Sequence, residues 1–325
     1  MSEKIIHLAI ETSCDDTSVA ILEDVNVLSC VTFSQKSHEK YGGVLPELAS
    51  REHLKNLRIV TIKAIEQAKI NFEKINLITY TERPGLLGSL LVGKCFAKSF
   101  AMAKNIPAIG VDHINGHILS PFLDNFFIPS FPHLCLTASG GHTQIVLVKD
   151  FLNYEILGET LDDAAGEAFD KIGKMINLNY PAGPLLEEYA KNGNHDAFDF
   201  CKTNVPNLNY SFSGIKTNFM NFLKKNLKNN PNFIQENLND ISASIQKKLM
   251  DMLLDKFALA VEKYKNSIKA ISVVGGVSAN SLLKKKIAQL AENYQMKFYH
   301  SEKKFCTDNA AMIGLVGYYT FLKNQ

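Results

Sequence analysis

Two histidines four residues apart, His113 and His117, are the sharpest candidates for chemistry in this sequence. On an α-helix this spacing places both imidazoles on one face, where their nitrogens can bind a single metal ion. Zinc proteases of the HExxH type need a glutamate after the first histidine as general base, but Ile114 stands there. The pair therefore predicts a metal site that needs a third ligand from elsewhere, and it disfavours peptide hydrolysis. A chance pair of surface histidines is the alternative.

Two glycine-rich segments are candidates for phosphate or nucleotide binding. Residues 137–143 lie between two predicted strands, and residues 274–280 end a buried strand and open a helix. Paired glycines let backbone N–H groups approach an anion, and a helix N-terminus favours negative charge. The alternatives are a tight hairpin for the first segment and a turn with Ser278 or Asn280 as helix N-cap for the second. A third polar turn, residues 11–17, contains an acid and several hydroxyls.

The elements that must position these residues follow from the hydrophobic pattern. Short β-rich runs predict an antiparallel meander at the start, and strands and helices then alternate, which is typical of a mixed α/β sheet. The same scheme recurs from Leu134, which favours a duplicated unit, whereas residues 191–210 are predicted to be irregular. The predicted strands are 5–10, 18–22, 27–33, 77–80, 108–111, 134–138, 144–148, 154–157, 270–274 and 296–299, and helices are predicted at 45–68, 87–103, 163–176, 280–292 and 309–321.

Composition limits the class of protein. The 325 residues are 46% hydrophobic and carry a net charge of +2, so we expect a globular chain of two lobes without a membrane span. The six cysteines are scattered without a CxxC pair, which predicts reduced thiols in the cytoplasm. The small net charge does not by itself indicate a nucleic acid partner.

Several long motifs, taken together, closely resemble the TsaD (YgjD) family of tRNA adenosine threonylcarbamoyltransferases, which has relatives in the KEOPS complex. The resemblance runs nearly end to end. The motifs are residues 9–15, 41–44, 51–53, 113–117, 139–144, 162–171, 210–217, 275–280 and 306–312.

The resemblance implies an α/β fold of the duplicated, actin-like ASKHA type, with two lobes that are each a mixed five-stranded sheet flanked by helices. We expect residues 1–110 to form the first lobe, completed by a C-terminal helix at 309–323. Residues 111–308 are expected to form the second lobe, which carries the metal and nucleotide motifs and a helical insertion near 185–265.

The family also implies a set of site residues. Its metal is held by the histidine pair and an aspartate, here His113, His117 and Asp308, with Fe(II) as the expected ion and Zn(II) as a substitute. Glu187 lies where some members have an acid for the ribose hydroxyls. No general base is identified, although Asp15 and His142 are candidates. The residues expected to bind the adenylate are Thr137, Ala138, Ser139, Gly140, Gly141, Asp170, Gly183 and Asn280.

The implied reaction is transfer of a threonylcarbamoyl group from threonylcarbamoyl-AMP to the exocyclic amine of the adenosine 3′ of the anticodon. The acceptors are tRNAs that read codons beginning with A, and AMP is released. Expected partners are a TsaB-like paralogue and a TsaE-like ATPase, or a second copy in a homodimer. The alternatives are a metal-dependent glycoprotein endopeptidase and a non-catalytic ATP-binding partner protein.

The sequence departs from the family pattern in two places near these motifs. Glu82 and Arg83 replace the Ala-Gly of the family's AGPGL loop. Asp112 and Asn115 stand where many bacterial members have His and Glu, so the surroundings of the metal are expected to differ.

Overall fold

The computed structural model of the chain describes residues 4–123, 129–203 and 205–325. Residues 1–3, 124–128 and 204, which fall within the predicted lobes and the predicted irregular segment, lie outside these ranges. The chain divides into two units. The first consists of Met1–Pro129, Asp150–Asn153 and Ser301–Gln325, and the second consists of Ser130–Lys149 and Tyr154–His300.

Five strands form a mixed sheet in the first unit, in the order β3-β2-β1-β4-β5. The pairs β1-β2 and β2-β3 are antiparallel, which confirms the predicted meander, and β1-β4 and β4-β5 are parallel. The strands are β1 (Ile6–Glu11), β2 (Asp16–Glu23), β3 (Asn26–Ser34), β4 (Leu77–Arg83) and β5 (Ala108–Asp112).

The second unit contains a sheet of the same plan, in the order β10-β9-β6-β7-β8. Here β6-β7 is antiparallel, and β6-β9 and β9-β10 are parallel. In the reverse direction the order is β8-β7-β6-β9-β10, which corresponds strand by strand to β3-β2-β1-β4-β5 of the first sheet. The predicted duplication is therefore confirmed. The strands are β6 (His133–Ala138), β7 (Thr143–Asp150), β8 (Asn153–Glu159), β9 (Ala270–Val274) and β10 (Lys297–His300).

Helices flank each sheet. None of those described is long and apolar enough to cross a membrane. They are α1 (Pro46–Ala68), α2 (Leu87–Lys104), α3 (His113–Leu119), α4 (Ala165–Met175), α5 (Ala182–Ala190), α6 (Ser213–Asn229), α7 (Phe233–Tyr264), α8 (Ser281–Asn293) and α9 (Ala310–Lys323).

Strand β1 is an almost continuous apolar run because helices cover both faces of its sheet. Leu8 and Ile10 belong to a cluster that includes Leu57 of α1, whereas Ala9 lies on the side of α9. A Cβ added at Gly314 of α9 would come within 2.4 Å of a methyl carbon of Leu22, so this helix lies very close to the strands. The close approach fixes the start of α9, which follows Asp308.

A second apolar core lies in the second unit. The side chains of Phe200, Phe212, Phe219 and Phe257 are almost completely buried there, together with residues of β6 and β9. Helices α5 to α7 occupy the segment predicted as a helical insertion. They cover the apolar face of the sheet and bring polar residues on α7 close to the start of α8.

The division into units differs from the predicted lobes at three places. Described residues of 111–129, together with 150–153 and 301–308, were expected in the second lobe but lie in the first unit. The reason is that α3 continues directly from β5 and contacts α9, which itself packs on the first sheet. Repetition of strands from Leu134 onward could not show where this helix would pack.

Candidate metal centre and nucleotide-binding loops

Helix α3 holds both histidines of the motif. Asp112 is its N-cap, and one carboxylate oxygen accepts hydrogen bonds from the backbone N–H groups of Ile114 (3.0 Å) and Asn115 (3.2 Å). The rings of His113 and His117 lie edge to face one turn apart, with centroids separated by 4.6 Å, and both are buried. The predicted arrangement of two imidazoles on one helix face is therefore present.

Asp308 lies beside the two rings. Its Oδ1 is 3.0 Å from Nε2 of His117 and 3.5 Å from Nε2 of His113. One ligand atom from each of the three residues falls within a span of 4.8 Å. Two imidazole nitrogens and a carboxylate oxygen form a donor set suited to Fe(II) or Zn(II), so these residues fit a divalent cation.

The backbone after Asp308 is fixed by Asn309, the N-cap of α9. Its side-chain oxygen accepts a hydrogen bond from the N–H of Met312 (3.0 Å), and its amide group donates to the carbonyl of Thr307 (2.8 Å). Ser18 of β2 accepts a hydrogen bond from the N–H of Ala310 (3.0 Å). The carboxylate is therefore held by strand and helix contacts within the first unit.

Glu11, at the end of β1, contacts this cluster, although the sequence did not lead us to assign it there. Its side chain is completely buried, and Oε2 accepts a hydrogen bond from Nδ1 of His113 (2.9 Å). The signal in the sequence was an acid at the end of an apolar strand. Nothing in the spacing indicated that its partner would lie 102 residues further along the chain.

The charges of this cluster stabilise one another. Burial disfavours the charged ring of His113, but the carboxylates of Glu11 and Asp308 outweigh burial and raise its pKa well above the ordinary value. Burial likewise acts against the charged form of Asp308, but the two imidazoles hold the pKa of this carboxyl well below its usual range. Close by, burial raises the pKa of Asp16 to about 7 and also raises that of Asp15.

Two of the departures from the family pattern are neighbours in the structure. Arg83 and Asp112 are partners in the β4-β5 register, and Nε of Arg83 lies 3.7 Å from Oδ2 of Asp112. The exposed guanidinium therefore faces the carboxylate that caps α3. Glu82 turns to Lys94 of α2 (2.8 Å) instead.

In the second unit, the predicted phosphate loop is a tight hairpin between β6 and β7. Within it, the N–H of Ser139 donates to the carbonyl of His142 (2.8 Å), and the Ser139 hydroxyl accepts from the N–H of His142 (3.0 Å). The N–H of Gly166, in α4, donates to the Ser139 carbonyl (3.0 Å). Gly140 and Gly141 are exposed at the tip.

The second glycine-rich segment meets this hairpin. Gly275 has a left-handed φ of 88°, and a Cβ there would lie only 2.4 Å from the carbonyl oxygen of Ala138. Asn280, at the other end of the segment, is the N-cap of α8 and accepts from the N–H groups of Leu282 (3.1 Å) and Leu283 (3.2 Å). The N-cap reading of Asn280 is therefore confirmed, and the structure brings both glycine-rich loops together.

The other predicted adenylate residues lie on the helices around these loops. Asp170 of α4 accepts a hydrogen bond from the N–H of Ala182 (2.7 Å), next to Gly183 at the start of α5. Glu187 of α5 accepts from both the N–H (2.9 Å) and the hydroxyl (2.6 Å) of Ser281.

Gln246 of α7 was not predicted as a site residue. Its Oε1 accepts a hydrogen bond from the amide of Asn280 (2.8 Å) and so fixes the orientation of that side chain. A cavity of about 310 Å³ lies here, with Glu187, Gln246, Ser281 and Lys286 among its walls. The only hint in the sequence was a short run of polar residues inside an apolar helix.

Solved structures of other proteins share this fold. HypF in its phosphate- and nucleotide-bound form aligns with a TM-score of 0.60 at 12% identity, over 100% of this chain and 47% of that one. Component A of the (R)-2-hydroxyglutaryl-CoA dehydratase of Acidaminococcus fermentans aligns with a TM-score of 0.56 at 13% identity, over 97% and 98% of the two chains. Together with the two five-stranded sheets, this likeness places the chain in the actin-like ASKHA fold class.

Sequence comparison narrows the class to a family. The model of the TsaD family, described as tRNA N6-adenosine threonylcarbamoyltransferase, matches residues 26–315 of this chain. Relatives of the same description include one from Cytophaga hutchinsonii, 49% identical over 100% of this chain and 94% of its own length, and one from Christiangramia forsetii, 47% identical over 99% and 95%. The chain therefore belongs to the TsaD family of acyltransferases, as its motifs predicted. Neither the endopeptidase nor the non-catalytic alternative is favoured by these matches.

Proposed function

We propose that this chain transfers the threonylcarbamoyl group of threonylcarbamoyl-AMP to the exocyclic amine of the adenosine 3′ of the anticodon, in tRNAs that read codons beginning with A. The observation that carries the proposal is the convergence of His113, His117 and Asp308 in a chain of the TsaD family. In this reaction the amine forms a bond to the carbamoyl carbon and loses a proton. The bond from that carbon to the phosphate oxygen breaks, and AMP leaves.

The three ligands would hold one divalent cation per subunit, with Fe(II) as our first choice and Zn(II) as a substitute. When bound, such a cation supplies Lewis acidity that stabilises negative charge on an oxygen of the reacting groups. The chain itself positions the ligands: Asp112 caps the helix of the histidines, and Asn309 holds the backbone next to Asp308.

The adenylate is assigned to the second unit. Gly140 and Gly141 leave space for a phosphate because no atom of the described residues lies within 4 Å of a Cβ added at either position. The neighbouring polar groups can orient the nucleotide by hydrogen bonds, and a fixed orientation lowers the entropic cost of reaction. The proposed contacts are Thr137, Ala138, Ser139, Gly140, Gly141, Asp170, Gly183 and Asn280, with Glu187 for the ribose.

The proposed partners follow from the reaction and the family. tRNA is the proposed acceptor, threonylcarbamoyl-AMP is the proposed donor, and the cytoplasm is the proposed location. A TsaB-like paralogue and a TsaE-like ATPase, or a second copy of the chain, are the proposed protein partners. Sizing the chain alone and with each candidate by light scattering would distinguish these assemblies.

Reconstitution tests the function directly. Purified chain, a donor-forming enzyme and unmodified tRNA are combined with and without partners, and the modified nucleoside is measured after digestion. We expect His113→Ala and Asp308→Ala to lose transfer while they keep the fold, and Asp170→Ala to bind AMP more weakly. Full turnover by the His113→Ala/Asp308→Ala double variant would refute the role of the metal centre.

A further inference from the structure

A completely buried carboxylate supports one of the two histidines. Glu11 is tethered at both oxygens: Oε1 accepts from the N–H of Ser13 (2.5 Å), and Oε2 accepts from the hydroxyl of Thr81 (2.5 Å) as well as from His113. A buried charge is costly unless it is hydrogen-bonded and compensated. Three donors, from Ser13, Thr81 and His113, supply those hydrogen bonds.

The two histidines differ in what holds them. Nδ1 of His113 is bound to Glu11 and lies 3.3 Å from the hydroxyl of Ser13, which leaves Nε2 directed toward Asp308. Nδ1 of His117 is buried and has no hydrogen-bond partner among the described residues. The carboxylate therefore selects the donor nitrogen of His113, whereas no described residue plays this part behind His117.

We infer that Glu11 is a positioning residue for cation binding: its carboxylate fixes the ring of His113 and adds a negative charge that favours a divalent ion. Carboxylates behind metal-bound histidines orient the ring and increase its basicity. Glu11 acts through His113, since it lies on the side of the ring opposite the nitrogen near Asp308. The inference rests on the proposed metal centre.

The residues that hold the Glu11 carboxylate belong to neighbouring elements. Ser13 lies in the turn two residues after the end of β1, and Thr81 lies on β4, which pairs with β1 in parallel. The carboxylate is thus fixed by two neighbouring strands, and the imidazole it holds belongs to α3, directly after a third strand, β5. Small shifts of any of these elements would move the donor nitrogen.

Metal titration of the full chain tests the inference without any activity measurement. Wild type and Glu11→Gln are titrated with Co(II) and with Zn(II), and the absorption of the Co(II) form is recorded. We expect Glu11→Gln to bind about 10- to 100-fold more weakly and to show a shifted Co(II) spectrum. Glu11→Asp keeps the charge but is shorter by one methylene group, so its affinity should be intermediate.

Matched variants separate a specific role from general damage. Glu23→Gln removes another strand-end glutamate of the same unit, one that pairs with Lys4 (2.6 Å), and should bind as wild type. If Glu11→Gln does not fold, Thr81→Val decides, because it removes one tether and should weaken binding severalfold.

The outcomes distinguish the inference from the proposed function. If His117→Ala and Asp308→Ala bind Co(II) like wild type, the metal centre itself is wrong. If those two lose the ion while Glu11→Gln and Thr81→Val keep wild-type affinity and an unchanged spectrum, the metal centre stands and the role of Glu11 is refuted.

Discussion

Substitution of Gly140 or Gly141 by alanine should weaken ligand binding without destabilising the folded chain. Neither glycine has a left-handed φ, and within the described part of the chain an added Cβ meets nothing closer than 4 Å. Where alanine can adopt the native backbone conformation, Gly→Ala stabilises a protein by about 0.4–1 kcal/mol because it reduces the conformational entropy of the unfolded chain. The folded chain should therefore keep its stability or gain slightly. Any need for glycine at these positions must come from a ligand that approaches the backbone.

The expected loss of affinity follows from the size of one methyl group. Forcing an extra methyl into a close contact costs about 1–3 kcal/mol, which corresponds to about a 5- to 150-fold weaker Kd for AMP. Calorimetric titration with AMP measures the affinity, and urea unfolding measures the stability of the same samples.

A third variant provides the contrast. At Gly275, alanine would have both a left-handed φ and a Cβ 2.4 Å from a backbone oxygen, so Gly275→Ala should lose stability as well as affinity. Wild-type AMP affinity in both Gly140→Ala and Gly141→Ala would contradict the assignment of this hairpin to the adenylate. The loop would then be an ordinary tight turn.

Three further predictions concern stability. Burial lowers the pKa of His7 to about 4, so between about pH 6.5 and 4 the ring is neutral when folded and protonated when unfolded. Stability should fall as the pH drops through this window, by ~2 kcal/mol at about pH 5. His7→Gln should reduce this fall, which is measured by urea unfolding above the window and at about pH 5. Asp162 accepts hydrogen bonds from Ser211, Phe212 and Ser213 at the start of α6, so Asp162→Ala should lower the free energy of unfolding by ~1–2 kcal/mol. A divalent cation at 100 times its Kd should stabilise the wild type by ~2.7 kcal/mol, whereas Asp308→Asn should show no thermal shift with the cation or with chelator.

The elements of this fold were largely predictable because their signals are local. Helix α1 was expected at 45–68 and runs from Pro46 to Ala68, since its apolar residues recur at helical spacing and Lys69 ends it in a left-handed conformation. The hairpin at residues 137–143 and the N-cap at Asn280 were likewise predictable from short stretches of sequence. What spacing predicted was therefore the type and order of the elements.

Contacts between distant residues were not predictable in this way. Asp308 lies 191 positions after His117, and only resemblance to a family joined the two. Glu11 and Gln246 were missed because their roles depend on partners that other elements bring to them. The placement of α3 in the first unit depends on its packing against α9, which no local pattern contains.

The late position of Asp308 has a consequence for biosynthesis. Its two histidine neighbours are made when about a third of the chain exists, but the carboxylate that joins them follows 191 residues after His117. A growing chain therefore exposes an incomplete set of ligands for most of its synthesis. The proposed set of three ligands is therefore complete only after the last segment of the first unit has been translated.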